Sequence, residues 1–290
     1  MQKSQLEYAE FYITNVCNLT CEECNRFNNL QFRGHHKFDT VAYAKWANLV
    51  DITRITVLGG EPTYNPDLET FIEGISQLWP TSIKNITTNG TNLSMHKNLH
   101  QLCADYTWTV SIFLHSPELK SIIMTQIADT FGHCRPVKLN QDNGNDGLML
   151  ELESPLGVRV KIFHGGNFHK NAFKDKENFI TYDSNPEKAH ELCTMRGCHH
   201  FIDGRLYKCG VVALLPKILE QYKRPIDPLM LTYPGLDPDT VTREEIANLA
   251  RAIPQCKFCS DEPNDWVQIL NNSATLKKLK KKVIPIYNDI

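Results

Sequence analysis

No run of about eighteen apolar residues, the length a helix needs to cross a bilayer, occurs anywhere in the 290-residue sequence. The opening MQKSQLEYAE lacks the apolar segment that marks a secretory signal. Neither sign of charge is in surplus: 31 Lys and Arg stand against 33 Asp and Glu, a formal net charge of -2. A basic field for nucleic acid is therefore missing. Hydrophobic residues at 41% and charged residues at 22% exclude a disordered chain. These absences predict a cytoplasmic globular protein with no membrane and no nucleic-acid partner. At this length roughly three-quarters of the unfolded surface can be buried, so staples are unnecessary.

Cysteine is what the chain does have, ten in all. Without an export signal a disulfide framework is the weaker explanation and metal ligation the stronger. Cys17, Cys21 and Cys24 cluster early, and Cys193, Cys198, Cys209, Cys256 and Cys259 gather late. Cys103 and Cys134 stand alone and read as buried thiols packing as small apolar residues.

Short β-rich runs alternate with helix-like segments through the first two-thirds. FYITNV (11–16), RITVL (54–58), IKNITT (83–88), YTWTVSIFL (106–114), RPVKL (135–139) and VRVKIF (158–163) read as strands. Residues 39–51 and 66–79 show helical apolar spacing, with Asp39 as an N-cap. Repeated βα units give a parallel sheet. The expectation is an α/β fold, a partial (β/α)6 TIM-like barrel over 1–185, with chemistry at the strands' C-terminal edge. A smaller cysteine-rich unit is expected over 186–290, with a capping box at Thr242 and Glu245. The polar stretch 140–147 reads as an exposed loop, and the basic 276–282 as a solvated helix face.

Three thiols at C-x3-C-x2-C leave a tetrahedral zinc site one ligand short. A cubane of four irons and four sulfides takes one protein ligand per iron, so three thiolates leave one iron open to a small molecule. This spacing after the first strand resembles the radical S-adenosylmethionine superfamily. The resemblance continues in GGEPT, Gly59–Thr63, after RITVL, and in TTNG, Thr87–Gly90, at the end of another predicted strand. It implies that Cys17, Cys21 and Cys24 hold a [4Fe-4S] cluster whose open iron chelates S-adenosyl-L-methionine. One electron from that cluster, supplied by an external reductant such as a flavodoxin or ferredoxin, would cleave the sulfonium. A 5′-deoxyadenosyl radical would then take hydrogen from substrate. Gly59, Gly60 and Glu61 are implied as cofactor-binding, the glycines by close backbone approach and positive φ. Asn89 and Ser111 match positions that reach the cofactor's ribose or carboxylate. His115, at the end of VSIFLH, is a possible substrate contact. One departure is Glu23, where relatives carry an aromatic residue against the adenine.

The late cysteines are similar to the auxiliary-cluster domains called SPASM and twitch: Cys193, ten residues, Gly204, four residues, Cys209, then a distant C-x2-C. DGRLYKC reads as a β-hairpin. No cysteine follows Cys259, so the shorter twitch-like form with one auxiliary [4Fe-4S] cluster is expected. Cys198, Cys209, Cys256 and Cys259 are the expected ligands, with Cys193 left as a possible hydrogen donor; exchange of Cys193 for Cys198 is the alternative. The overall expectation is an oxidoreductase or epimerase that abstracts hydrogen from a biosynthetic substrate, giving dehydrogenation, bond formation or epimerisation. The first strand lies near the start, which leans towards a small molecule over a peptide. The competing reading is a non-catalytic binding protein stabilised by zinc.

Overall fold

A computed structural model describes residues 3–21, 24–28, 31–139, 147–165, 167–169, 172–262 and 266–268. Glu23, most of the 140–147 loop and the basic 276–282 lie outside these.

The main sheet contains β1 (Ser4–Tyr12), β2 (Val50–Leu58), β3 (Ile83–Thr88), β4 (Trp108–Leu114), β5 (Arg135–Leu139), β6 (Leu148–Glu153), β7 (Arg159–His164), and later β11 (His199–Ile202) and β12 (Arg205–Tyr207). Between them run β8 (Asn167–His169), β9 (Phe173–Asp175) and β10 (Ile180–Thr181); β9 pairs β10, and β8 pairs β13 (Trp266–Gln268). The helices are α1 (Thr40–Leu49), α2 (Leu68–Leu78), α3 (Leu99–Asp105), α4 (Lys120–Phe131), α5 (Pro186–Glu191), α6 (Gly210–Gln221), α7 (Pro228–Leu231) and α8 (Arg243–Ala247).

The strand order is β12-β11-β1-β2-β3-β4-β7-β6-β5. Six strands, β11, β1, β2, β3, β4 and β7, run parallel. This is the partial barrel of an α/β protein, but its membership differs from the expectation. Residues 135–139 are not a barrel strand: β5 pairs antiparallel with β6, which pairs antiparallel with β7. Every residue of β5 is exposed, so it is an edge strand with no core face. The sixth parallel strand is β11, paired to β1 through Ala9–His199, Glu10–His200 and Phe11–Phe201. The main sheet thus crosses the boundary expected at 185/186.

Strand alternation sorts the side chains. Ala9, Phe11 and Ile13 face the helices with Val57, Ile86, Val110, Ile112, Val160 and Phe201 in the main core, where Phe11 stacks on Phe201 at 4.7 Å. Intervening residues such as Glu10, Thr56, Asn85 and Ser111 fall on the other face. A second core joins Tyr12, Phe27, Leu58, Phe173 and Ile202 to the apolar side of α6. The hairpin is as expected: Asp203 and Gly204 both take positive φ, 50° and 73°, as a two-residue primed turn requires. Its Gly204 carbonyl accepts from Trp46 Nε1 at 2.8 Å. The N-cap at Asp39 and the capping box at Thr242 and Glu245 form as expected. Cys103 is buried, whereas Cys134 is only half-buried.

Candidate active site

The parallel strands deliver their C-terminal ends to one edge. β1 runs into the loop carrying the first three cysteines, β2 into Gly59-Gly60-Glu61, β3 into Asn89-Gly90-Thr91 and β4 into His115.

The first two loops are laced together by backbone. Ile13 N donates to Leu58 O at 2.9 Å, Gly60 N to Thr14 O at 2.7 Å and Glu61 N to Val16 O at 2.8 Å. A Cβ on Gly59 would stand 2.6 Å from Thr14 O, and one on Gly60 would collide with Val16 O. Close approach is thus the reason for both glycines, and the backbone approached is the chain's own cysteine loop. The expected positive φ is not found at either.

Glu61 is buried and accepts from Thr88 Oγ1 at 2.6 Å, Asn89 N at 2.7 Å, Thr63 Oγ1 at 2.8 Å and Thr63 N at 3.2 Å. It staples the β2 tip to the β3 tip. Burial pushes its carboxyl up, against the pull of those donors. Asn89 continues the seam: its Nδ2 donates to Asn18 Oδ1 at 2.9 Å and lies 3.9 Å from Cys17 Sγ. Its Oδ1 accepts from Thr91 N at 3.0 Å and Thr91 Oγ1 at 2.7 Å. His115 Nδ1 lies 3.8 Å from Cys21 Sγ, and burial pushes that imidazole down to about 4, so it is neutral at physiological pH. Ser111 sits within β4 rather than at its end, and its hydroxyl donates to Asn85 Oδ1 at 2.8 Å.

Burial and then the Glu61 carboxylate push Cys17 well above the ordinary thiol value, and burial followed by Cys24 pushes Cys21 up to about 12. Crowded thiols of this kind become thiolates only when a cation compensates them. Among the described residues no three His, Cys, Asp or Glu converge on a single ion. A cubane spreads its thiolates over its corners and needs no such point. The donor set of three thiols on one loop fits a cluster with one open iron.

Of the late cysteines, Cys209 caps the start of α6 directly after the hairpin, and Cys256 and Cys259 lie in and just after the turn Pro254–Phe258. Cys259 feels Cys209, Cys193 and Cys256; Cys209 feels Cys193 and Cys256; Cys256 feels Cys193. Burial is the leading cause that raises all three, Cys209 to about 11. Cys198 has different company: after burial, Glu10 raises it most, ahead of Cys193 and Cys209, and it reaches about 12. The buried Lys208 faces Cys256, Cys209 and Cys193 and donates Nζ to Leu249 O at 2.8 Å.

One feature escaped sequence reasoning. Arg26, two residues past Cys24, pairs with buried Glu10 of β1 at 2.7 Å, and His200 of β11 meets the same carboxylate at 2.6 Å. Burial alone would raise the Glu10 carboxyl, but His200 and Arg26 hold it down at about 2. Glu10 falls just before the strand expected at 11–16 and inside the observed β1, so the sequence carried no direct signal for it.

No protein-family model matches the chain. The GTP 3',8-cyclase of Alkaliphilus oremlandii is 23% identical over 224 residues, covering 65% of this chain and 70% of that protein. A probable GTP 3',8-cyclase of Saccharolobus islandicus is 24% identical over 245 residues, covering 76% of each. Among solved structures, Streptococcus suis SuiB bound to S-adenosylmethionine overlaps 38% of this chain and 25% of its own, at 25% identity and a TM-score of 0.31.

Proposed function

We propose that the chain is a radical S-adenosylmethionine enzyme that abstracts a hydrogen atom from a small biosynthetic molecule to make a new bond. The cofactors are S-adenosyl-L-methionine and a [4Fe-4S] cluster; bound together they supply one-electron sulfonium cleavage and hydrogen abstraction from carbon. Cys17, Cys21 and Cys24 hold the cluster. The supporting observation is the seam that joins their loop to two neighbouring strand tips: Gly60 and Glu61 amides on Thr14 and Val16, and Asn89 beside Cys17. Gly59 and Gly60 let the loop sit against β2, Glu61 fixes the β3 tip, and Asn89 orients the loop through Asn18. Direct cofactor contact falls to the backbone carbonyls of this strip and to Ser111 on the inner sheet face.

A single auxiliary [4Fe-4S] cluster on the late thiols is part of this reading, with Cys209, Cys256 and Cys259 as ligands and Cys193 favoured over Cys198 as the fourth because it acts on all three of the others. After burial, Cys198 feels Glu10 and Arg26 ahead of Cys193 and Cys209. Bond formation is preferred over dehydrogenation or epimerisation because two relatives are named for a cyclisation, and GTP is the first substrate to try. An external one-electron carrier supplies the reductant.

After anaerobic reconstitution the chain is expected to hold about eight irons and eight sulfides. Dithionite with S-adenosylmethionine then releases 5′-deoxyadenosine, faster with GTP if that substrate is right. The Cys21→Ala variant is inert. About two zincs and no iron would favour the metal-stabilised binding protein instead.

A further inference from the structure

Two buried donors beside the first cysteine loop lack an acceptor. The Tyr12 hydroxyl and Arg26 Nε find no hydrogen-bond partner among the described residues, although Tyr12 is 1% and Arg26 7% exposed. Unpaired buried donors are costly and uncommon. Two together call for an acceptor that the described residues do not supply.

Both groups are held firmly. Tyr12 closes β1, its ring 5.8 Å from that of His36 and 6.4 Å from that of His200. Arg26 gives Nη2 to Glu10 at 2.7 Å and Nη1 to Asn25 Oδ1 at 3.1 Å. Glu10 is itself held by His200 at 2.6 Å and Tyr8 at 2.9 Å. Gly210, at the start of α6, leaves room for this plane: a Cβ there would lie 3.2 Å from Arg26 Nη1 and 2.9 Å from His200 Nε2. Two corners of the guanidinium are thus anchored, and Nε is left over. Beyond burial, Arg26 feels Glu10 most, then Tyr12, Cys24 and Cys198, and the phenol feels Arg26, Cys24 and Cys17, so Cys24 of the first loop acts on both.

We propose that Tyr12 Oη and Arg26 Nε donate hydrogen bonds to the anionic sulfur of the centre held by Cys17, Cys21 and Cys24, and so raise its reduction potential. This rests on the cluster reading above. Donors to cluster sulfur favour the more negative, reduced state. Arg26 is held in place by β1 and, through Glu10 and His200, by β11, so the late segment of the chain contributes to the tuning of the early centre.

The test is a potentiometric titration of the reconstituted full chain, following the reduced-cluster spectrum that changes when S-adenosylmethionine is added. Tyr12→Phe keeps the ring and removes the donor. It is expected to bind as much iron as wild type, while the reduced-to-oxidised ratio at fixed potential falls about tenfold, which is about 59 mV for one electron. Arg26→Lys, which keeps charge and loses Nε, shifts the same way and carries the test on the same criterion if Tyr12→Phe loads less iron. Full iron with an unmoved potential overturns this proposal and leaves the cluster reading standing. A wild-type chain that takes up no iron overturns both.

Discussion

Replacing Gly59 by alanine probes the seam between the β2 tip and the cysteine loop. The added Cβ would meet Thr14 O at 2.6 Å, Thr14 Cγ2 at 2.7 Å and Thr14 N at 3.0 Å, where ordinary contact begins at 3.4 Å. Two of these atoms are backbone and cannot rotate aside, so the loop must retreat by most of an ångström. Overpacking of this kind costs about 1–3 kcal/mol. The retreat also strains the 2.7 Å bond from Gly60 N to Thr14 O, worth about 1 kcal/mol net. Together they lower Tm by about 4–10 °C. The catalytic effect is larger than the stability effect, because Cys17 follows Thr14 by only three residues. A displacement of about 1 Å at a reacting centre costs about a hundredfold in rate. The assay is thermal unfolding beside 5′-deoxyadenosine release at matched iron content. Gly197→Ala, where an added Cβ meets nothing within 4 Å, is the control and should match wild type. Wild-type release by Gly59→Ala would refute the claim that the glycines seat the loop.

Glu10→Gln leaves buried Arg26 without its counter-charge, an expected loss of about 3–5 kcal/mol near neutral pH in urea unfolding. The Glu10 pKa is lowered on folding, so its contribution is present above the ordinary 4.5 and is lost as pH falls towards about 2. The wild-type advantage should therefore shrink across that window, and a gap independent of pH would count against the ion network. Cys193→Ser should cost the auxiliary cluster, leaving about four irons per chain, while Cys198→Ser keeps about eight; the reverse pattern would restore Cys198 as a ligand.

Much of this arrangement was legible in short local patterns. GGEPT and TTNG each follow a strand because β-branched runs end in glycine or asparagine turns, and the DG turn closes a hairpin for the same reason. What was not legible is long-range. HHFI is only four residues long and lies among cysteines, and its place beside β1 depends on pairing across 190 positions. RPVKL has strand-forming residues but no buried face, so local pattern alone could not separate an antiparallel edge from a barrel strand. The Glu10, Arg26 and His200 cluster is assembled from three distant segments. Gly59 and Gly60 read as cofactor-binding in the sequence, yet the backbone they admit in the packed structure is that of Thr14 and Val16.

The central claim is that the centre on Cys17, Cys21 and Cys24 keeps one iron free of protein ligands. Electron–nuclear double resonance on the reduced centre, with S-adenosylmethionine labelled at its amino nitrogen and carboxylate oxygens, tests this most directly. Coupling from both labels is the predicted result; no coupling, with a fourth side chain completing the metal's shell, would contradict the account.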